Sequence, residues 1–101
     1  MAGDQNVKGE GASAQSRPRF ETICMVGLGY IGLPTAAMFA SRKIKVVGVD
    51  VNPHAVNTIN RGEVHIVEPD LDIAVRSAVQ QGYLRATDKP EPADAFLIAV
   101  P

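Results

Sequence analysis

The chain has little of several residue types, and each shortage excludes a class of protein. Tryptophan is absent, and aromatic residues make up 5% of the 101 positions. A single cysteine, Cys24, excludes an internal disulfide and is typical of a reducing compartment. Lysine and arginine number 10 against 11 aspartate and glutamate residues, so no charge excess indicates nucleic acid or a charged membrane surface.

Long apolar runs are also missing. No stretch approaches the roughly 20 residues that would span a bilayer. The N-terminus lacks the basic and then apolar order of a secretory signal. We therefore expect a cytoplasmic protein without a membrane or nucleic-acid partner, and 101 residues allow one domain at most.

The first 19 residues differ in texture from the rest. They are rich in glycine, serine, glutamine and charge, and their few apolar residues follow no helical or strand period. Such a composition predicts a disordered tail over residues 1–19. Residues 20–101 then form the folded part of the chain.

Apolar strands and helical segments alternate after residue 20. A short β-prone run precedes each of two helical patterns, and a continuous apolar run, AFLIAV, is typical of a parallel strand buried on both faces. This order predicts an α/β fold, a partial Rossmann (doubly wound) parallel sheet with flanking helices and strand order 3-2-1-4. The predicted strands are 22–26, 45–49, 83–87 and 95–100, and the predicted helices are 31–41, 52–61 and 68–81.

Three glycines, Gly27, Gly29 and Gly32, have the spacing G-x-G-x-x-G. They follow the first strand and open the first helix, the context in which this spacing binds a dinucleotide pyrophosphate at a helix N-terminus. Pro34 falls in the first turn, where its missing N–H has no intrahelical partner to lose. The other reading is a tight strand-to-helix turn without a ligand.

The second strand ends in an acid, Asp50. At that position a carboxylate accepts hydrogen bonds from the adenosine ribose hydroxyls and repels a 2′-phosphate. The following residues, VNPHA, contain no lysine or arginine that could neutralise such a phosphate. The sequence therefore favours NAD over NADP as the cofactor.

Three segments together, VGLGYIGLPTA, GVDVNPHAVNTINRGEVHIVEPDLD and ADAFLIAVP, resemble the start of nucleotide-sugar dehydrogenases of the UDP-glucose/GDP-mannose dehydrogenase family. The resemblance covers residues 22–101, and NRGEVHIVEPDLD favours the mannosamine branch. It implies NAD-dependent oxidation of a sugar C6 hydroxyl to a carboxylate for surface polysaccharides such as enterobacterial common antigen.

The resemblance also implies roles for individual residues. The backbone amides of Tyr30 and Ile31 would contact the pyrophosphate, and Asp50 would hold the ribose. Ala55 stands where some relatives carry a lysine or arginine, so that secondary contact would be missing. The family's catalytic and sugar-binding residues lie downstream of Pro101. We therefore expect residues 20–101 to be the truncated N-terminal part of an NAD-binding Rossmann domain, an inactive fragment with no catalytic residue. Its full-length parent would bind the nucleotide sugar and form a homodimer.

Other reactive side chains have plainer interpretations. Cys24 belongs to the first strand and is expected to be a buried core residue. His54 and His65 lack neighbouring ligands, so no metal site is expected, and they are assigned to an exposed helix turn and a structural loop. Two roles stay open for Tyr30: its side chain either shields the cofactor or packs on the loop. The acids at the start of the third helix are interpreted as capping or dipole-compensating residues: Glu68, Asp70 and Asp72.

Three functions stay open on the residues alone. The chain is the NAD-binding part of a dehydrogenase, a stand-alone dinucleotide-binding module, or part of another Rossmann oxidoreductase such as a 6-phosphogluconate or UDP-glucose dehydrogenase relative. The motif EPDL argues against a relative from outside the family. With half of a site present, we expect weak NAD binding, and an unpaired apolar fourth strand predicts self-association.

Overall fold

A computed structural model describes residues 21–99 of the chain. The predicted tail over residues 1–19 lies outside the described residues, as do Phe20, Val100 and Pro101. The described part contains four strands and three helices: β1 (Thr22–Val26), α1 (Gly32–Ser41), β2 (Lys45–Val49), α2 (Pro53–Asn60), α3 (Leu71–Gln80), β3 (Leu84–Thr87) and β4 (Ala95–Ile98).

The strands form one parallel sheet in the order β3-β2-β1-β4. This confirms the predicted α/β fold and strand order. Crossovers through α1, and then through α2 and α3, place β2 and β3 successively to one side of β1. The chain then returns to the other side of β1, so the carboxyl ends of β1, β2 and β4 meet at one edge.

One face of the sheet packs against the helices and forms the hydrophobic core. The strands contribute Met25, Val46 and Leu84, while α1 presents small residues that let it lie close to the sheet. The predicted inward face of α3 is confirmed. Leu71, Val75 and Ala78 are buried, and Ala74 and Val79 pack against the same core. None of the helices within residues 21–99 has the length and apolar character needed to cross a membrane.

The opposite face of the sheet is only partly covered. Cys24 lies there in register with Val47 and Phe96, and its side chain is fully buried, as predicted. The prediction of a fourth strand buried on both faces is wrong, because Phe96 is 52% exposed and Ile98 is 71% exposed. Within the described residues, the connection from β3 to β4 contains no helix that could cover this face.

The start of α3 corrects a second prediction. The helix begins at Leu71, and the side chain of Asp70 makes no capping hydrogen bond. Asp70 has a left-handed backbone with φ of 62°, which turns the chain sharply before the helix. Glu68 takes part through its backbone carbonyl, which accepts from the Leu71 amide at 3.2 Å. Asp72 does lie in the first turn, where a negative charge offsets the helix dipole.

Candidate dinucleotide-binding site

The glycine loop between β1 and α1 is held by close backbone contacts. Gly27 has φ of 97°, a conformation that favours glycine, and its amide donates to the carbonyl of Val49 at 2.8 Å. A Cβ on Gly32 would lie 1.7 Å from the carbonyl oxygen of Gly27, so only glycine fits there. A Cβ on Gly29 would meet no atom within 4 Å, which leaves open space above the loop.

The N-terminus of α1 is free to receive an anion. Ile31 occupies the N-cap position without a side-chain hydrogen bond, and the first turn contains no acid. Within residues 21–99 the amides of Gly29, Tyr30 and Ile31 donate to no backbone or side-chain acceptor. By contrast, the side chain of Asn52 caps α2. Unpaired amides at the positive end of a helix dipole attract negative charge.

The predicted ribose-binding acid, Asp50, is joined to the glycine loop. Its Oδ2 accepts from the amide of Leu28 at 3.0 Å, and its Oδ1 accepts from the amide of Asn52 at 2.9 Å. A carboxylate offers about four lone-pair positions, so acceptor capacity is left for a ligand hydroxyl. The sequence pattern suggested the ribose contact but gave no sign of the bond to Leu28.

A cavity of about 520 Å³ lies where these groups meet. Tyr30 and Ile31 stand at it with 71% and 73% of their surfaces exposed, so the Tyr30 side chain does not pack on the loop. All six residues predicted to bind the cofactor belong to the glycine loop, the start of α1 or the end of β2. The cavity is lined by Val26, Gly27, Leu28, Gly29, Tyr30, Ile31, Val49, Asp50, Val51 and Ala99.

The remaining candidates lie away from this cavity. His54 is exposed, as predicted, and His65 is half-buried in the loop before α3, where its Nδ1 has no hydrogen-bond partner among the described residues. Ala55 is 1% exposed and packs inside the protein. No group of three histidine, cysteine or acidic residues with metal-binding geometry occurs in residues 21–99.

Residues 21–101 match the sequence model described as the UDP-glucose/GDP-mannose dehydrogenase family, NAD binding domain. The chain belongs to this family. The expectation of NAD as the cofactor is thereby confirmed, as is the family resemblance read from the glycine and EPDL segments.

Named relatives agree with the family assignment. Over 82 residues, the chain is 74% identical to UDP-N-acetyl-D-mannosamine dehydrogenase of Yersinia pestis, covering 81% of this chain and 20% of the relative. It is 73% identical to NDP-N-acetyl-D-galactosaminuronic acid dehydrogenase of Ralstonia nicotianae, covering 81% of the chain and 19% of the relative. The chain therefore spans about a fifth of the length of these relatives.

The solved structures include a close match in fold. The native structure of the UDP-N-acetyl-mannosamine dehydrogenase Cap5O from Staphylococcus aureus superposes with a TM-score of 0.76. The two sequences are 40% identical, and the superposed part covers 78% of this chain and 19% of the Cap5O chain. The chain is thus the NAD-binding part typical of nucleotide-sugar dehydrogenases.

Proposed function

We propose that this chain is the NAD-binding part of a nucleotide-sugar 6-dehydrogenase that converts UDP-N-acetyl-D-mannosamine to its uronic acid with two NAD. The cavity at the uncapped start of α1 carries the cofactor part of this proposal. The substrate part rests on the 74% identity to the Yersinia pestis enzyme. Bound NAD would accept hydride from the sugar carbon.

Six residues are proposed to hold the cofactor. The open space above Gly29 and the free amides of Tyr30 and Ile31 suit a pyrophosphate. Gly27 and Gly32 keep the loop tight against the helix, and Asp50 is proposed to accept from the adenosine ribose.

Preference for NAD over NADP is part of the same proposal. The Asp50 carboxylate would lie beside a ribose 2′-phosphate and repel it. The next residue, Val51, is 90% exposed and uncharged, and residues 51–55 contain no lysine or arginine. Nothing among these neighbours would neutralise the additional phosphate of NADP.

The chain itself provides the cofactor test. Calorimetric titration should show NAD binding that Asp50→Ala weakens by about 1.5–3 kcal/mol, because a charged hydrogen-bond partner is removed. Asp88→Ala is the matched control, since Asp88 is an exposed acid that follows β3 at the same edge of the sheet. Equal affinity for NAD and NADP, or no binding by a well-folded chain, would contradict the proposal.

A second substrate has support from a specific observation. Identity to the NDP-N-acetyl-D-galactosaminuronic acid dehydrogenase of Ralstonia nicotianae is 73%, within one point of the mannosamine enzyme. The galactosamine-derived nucleotide sugar is therefore the alternative substrate. Assay of a full-length protein containing this chain with both sugars, following NADH absorbance, would decide between them.

The proposal extends to the context of the parent protein. We propose a cytoplasmic homodimer whose product enters surface polysaccharides such as enterobacterial common antigen. Residues 1–19 are proposed to be a tail outside the NAD-binding domain, and residues 20–101 the beginning of that domain. The named relatives are dehydrogenases. This favours part of an enzyme over a stand-alone dinucleotide-binding module.

A further inference from the structure

Leu28 has an unusual place for a residue in a cofactor loop. It lies between two glycines of the motif, yet its side chain is completely buried and belongs to the hydrophobic core. The space it fills exists because Gly48 of β2 has no side chain. A Cβ on Gly48 would lie 2.7 Å from Cδ2 and 2.9 Å from Cδ1 of Leu28.

The backbone of Leu28 is fixed by a separate contact. Its amide donates to Oδ2 of Asp50 at 3.0 Å. Gly48 lies in β2 and Asp50 follows directly after its last residue, Val49. One end of β2 therefore holds Leu28 by an apolar contact and by a charge-assisted hydrogen bond. We call Leu28, Gly48 and Asp50 the Leu28 lock.

The lock acts on the part of the loop that faces the cavity. The amides of Gly29, Tyr30 and Ile31 follow Leu28 directly, and no other described group accepts from them. Glycine populates many backbone conformations, so a loop with two glycines beside Leu28 would otherwise sample many arrangements. Fixing Leu28 limits the direction in which the following amides point.

We propose that the Leu28 lock holds the glycine loop in the conformation that receives the cofactor pyrophosphate. Leu28 is then a positioning residue, and Gly48 is required in β2 to admit it. This inference rests on the proposed NAD site and adds to it two residues outside the six assigned to cofactor contact. Pre-organisation of a loop increases affinity because less conformational entropy is lost on binding.

A role in core packing alone makes a different prediction. Packing changes would reduce the stability of the fold but leave the NAD affinity of the folded fraction unchanged. The lock predicts that affinity changes when Leu28 is displaced, even though neither Leu28 nor Gly48 is assigned a cofactor contact. Affinity and stability therefore have to be measured on the same variants.

The experiment is a double-mutant cycle on the full chain. Gly48→Ala forces Leu28 to shift, and we expect about a tenfold or greater loss of NAD affinity from misplacement of the loop. Adding Leu28→Ala removes the overlapping atoms and should recover part of that loss. Val75→Ala is the control, because Val75 is fully buried in α3 and should reduce stability with NAD affinity kept within about twofold.

Amide NMR separates failure of the lock from failure of the NAD site. The Leu28 lock predicts that, without any ligand, Gly48→Ala speeds hydrogen exchange at Leu28 and shifts the amide resonances of residues 29–31. If Gly48→Ala shows these effects while the folded wild-type chain binds no NAD, the proposed function alone is overturned. Unchanged exchange, unchanged resonances and unchanged NAD affinity in a folded Gly48→Ala variant would overturn the lock.

Discussion

The glycines of the loop differ in the space that surrounds them. A Cβ on Gly32 would overlap the backbone of Gly27 at 1.7 Å from the oxygen and 2.8 Å from the carbon. Backbone atoms cannot rotate away as the end of a side chain can. A Cβ on Gly29 would meet no atom within 4 Å, so the fold places no such demand on it. The fold therefore requires glycine at position 32, whereas Gly29 is proposed to be needed for the ligand.

Alanine substitutions should separate these two roles. Gly32→Ala is expected to destabilise the fold by about 3 kcal/mol or more, because the loop or α1 must move away. Gly29→Ala should leave stability within about 1 kcal/mol and weaken NAD binding, because its methyl group would occupy space needed by the pyrophosphate. Urea denaturation and NAD titration measure both. Equal stability of the two variants would contradict this account.

The sequence predicted the residues around the cavity better than the contacts between them. The spacing of Gly27, Gly29 and Gly32 and the acid at Asp50 indicated the place of the candidate site. The motif places no requirement on the residue type at Leu28. The space above Gly48 depends on how two segments that are distant in sequence pack together. The bond from Leu28 to Asp50 was therefore not predictable from either segment alone.

Helices and strands followed local signals closely, while their ends depended on tertiary contacts. Gly62 and Gly82 have φ of 76° and 81° and lie just after α2 and α3, as expected of glycines that end helices. The capping prediction for Asp70 was wrong because the residue adopts a left-handed turn. An acid before a helix is typical of a cap, but the pattern does not specify backbone direction.

A side chain from α2 substitutes for a neighbouring strand beside β3. The Asn60 side chain donates to the carbonyl of Ala86 at 2.9 Å and accepts from its amide at 2.8 Å. Asn60→Ala should cost about 1–3 kcal/mol of stability, because two partly buried backbone groups lose their partner. Asn57→Ala, at an exposed position on the same helix, is the matched control for urea denaturation. Equal losses in both variants would count against the Asn60 contact.

The start of β4 is joined to the start of β1 by Asp94. Hydrogen bonds from the backbone amides of Glu21 and Thr22, at 2.8 and 3.0 Å, lower the pKa of the Asp94 carboxyl below its ordinary value of 3.8. A carboxyl with a lowered folded-state pKa adds stability above its unfolded-state pKa. That contribution is lost as the pH falls through the folded-state value.

Asp94→Asn provides the corresponding test of pH dependence. From pH 7 down to about pH 4, the difference in unfolding free energy between wild type and variant should stay constant. Below about pH 4 the difference should shrink, since only the wild-type residue gains a proton. Other acids, including Glu91 beside Arg85, are common to both proteins and cancel. A difference that stays constant to pH 2 would show that Asp94 makes no such contribution.

At the scale of the whole molecule, the sheet has one covered and one open face. Phe96 and Ile98 of β4 are exposed on the open face, and β4 pairs only with β1 among the described residues. An unpaired apolar edge strand is a site for pairing with another chain. Sequence reasoning predicted this edge but treated the strand as buried on both faces, because an apolar run does not reveal which face is covered.

Self-association should therefore depend on β4. Sedimentation velocity is expected to show a mass that rises with concentration, and Ile98→Thr should weaken association about tenfold by reducing apolar burial. Ile73→Thr is the matched control, since Ile73 on α3 is 66% exposed and Ile98 is 71% exposed. A wild-type chain that stays monomeric at all concentrations would contradict the prediction.

The bond between Thr22 and Asp94 has a consequence for the order of folding. It joins residues that are 72 positions apart in the sequence. The pairing of β4 with β1 therefore closes the longest loop among the strand pairs of the sheet. Closing long loops costs more entropy and takes longer than forming the local β1-α1-β2 unit. Ala99, which follows β4 and donates to Val26 at 2.8 Å, lines the cavity. We therefore expect a refolding chain to complete the candidate cofactor cavity in its last step, after three strands have already paired.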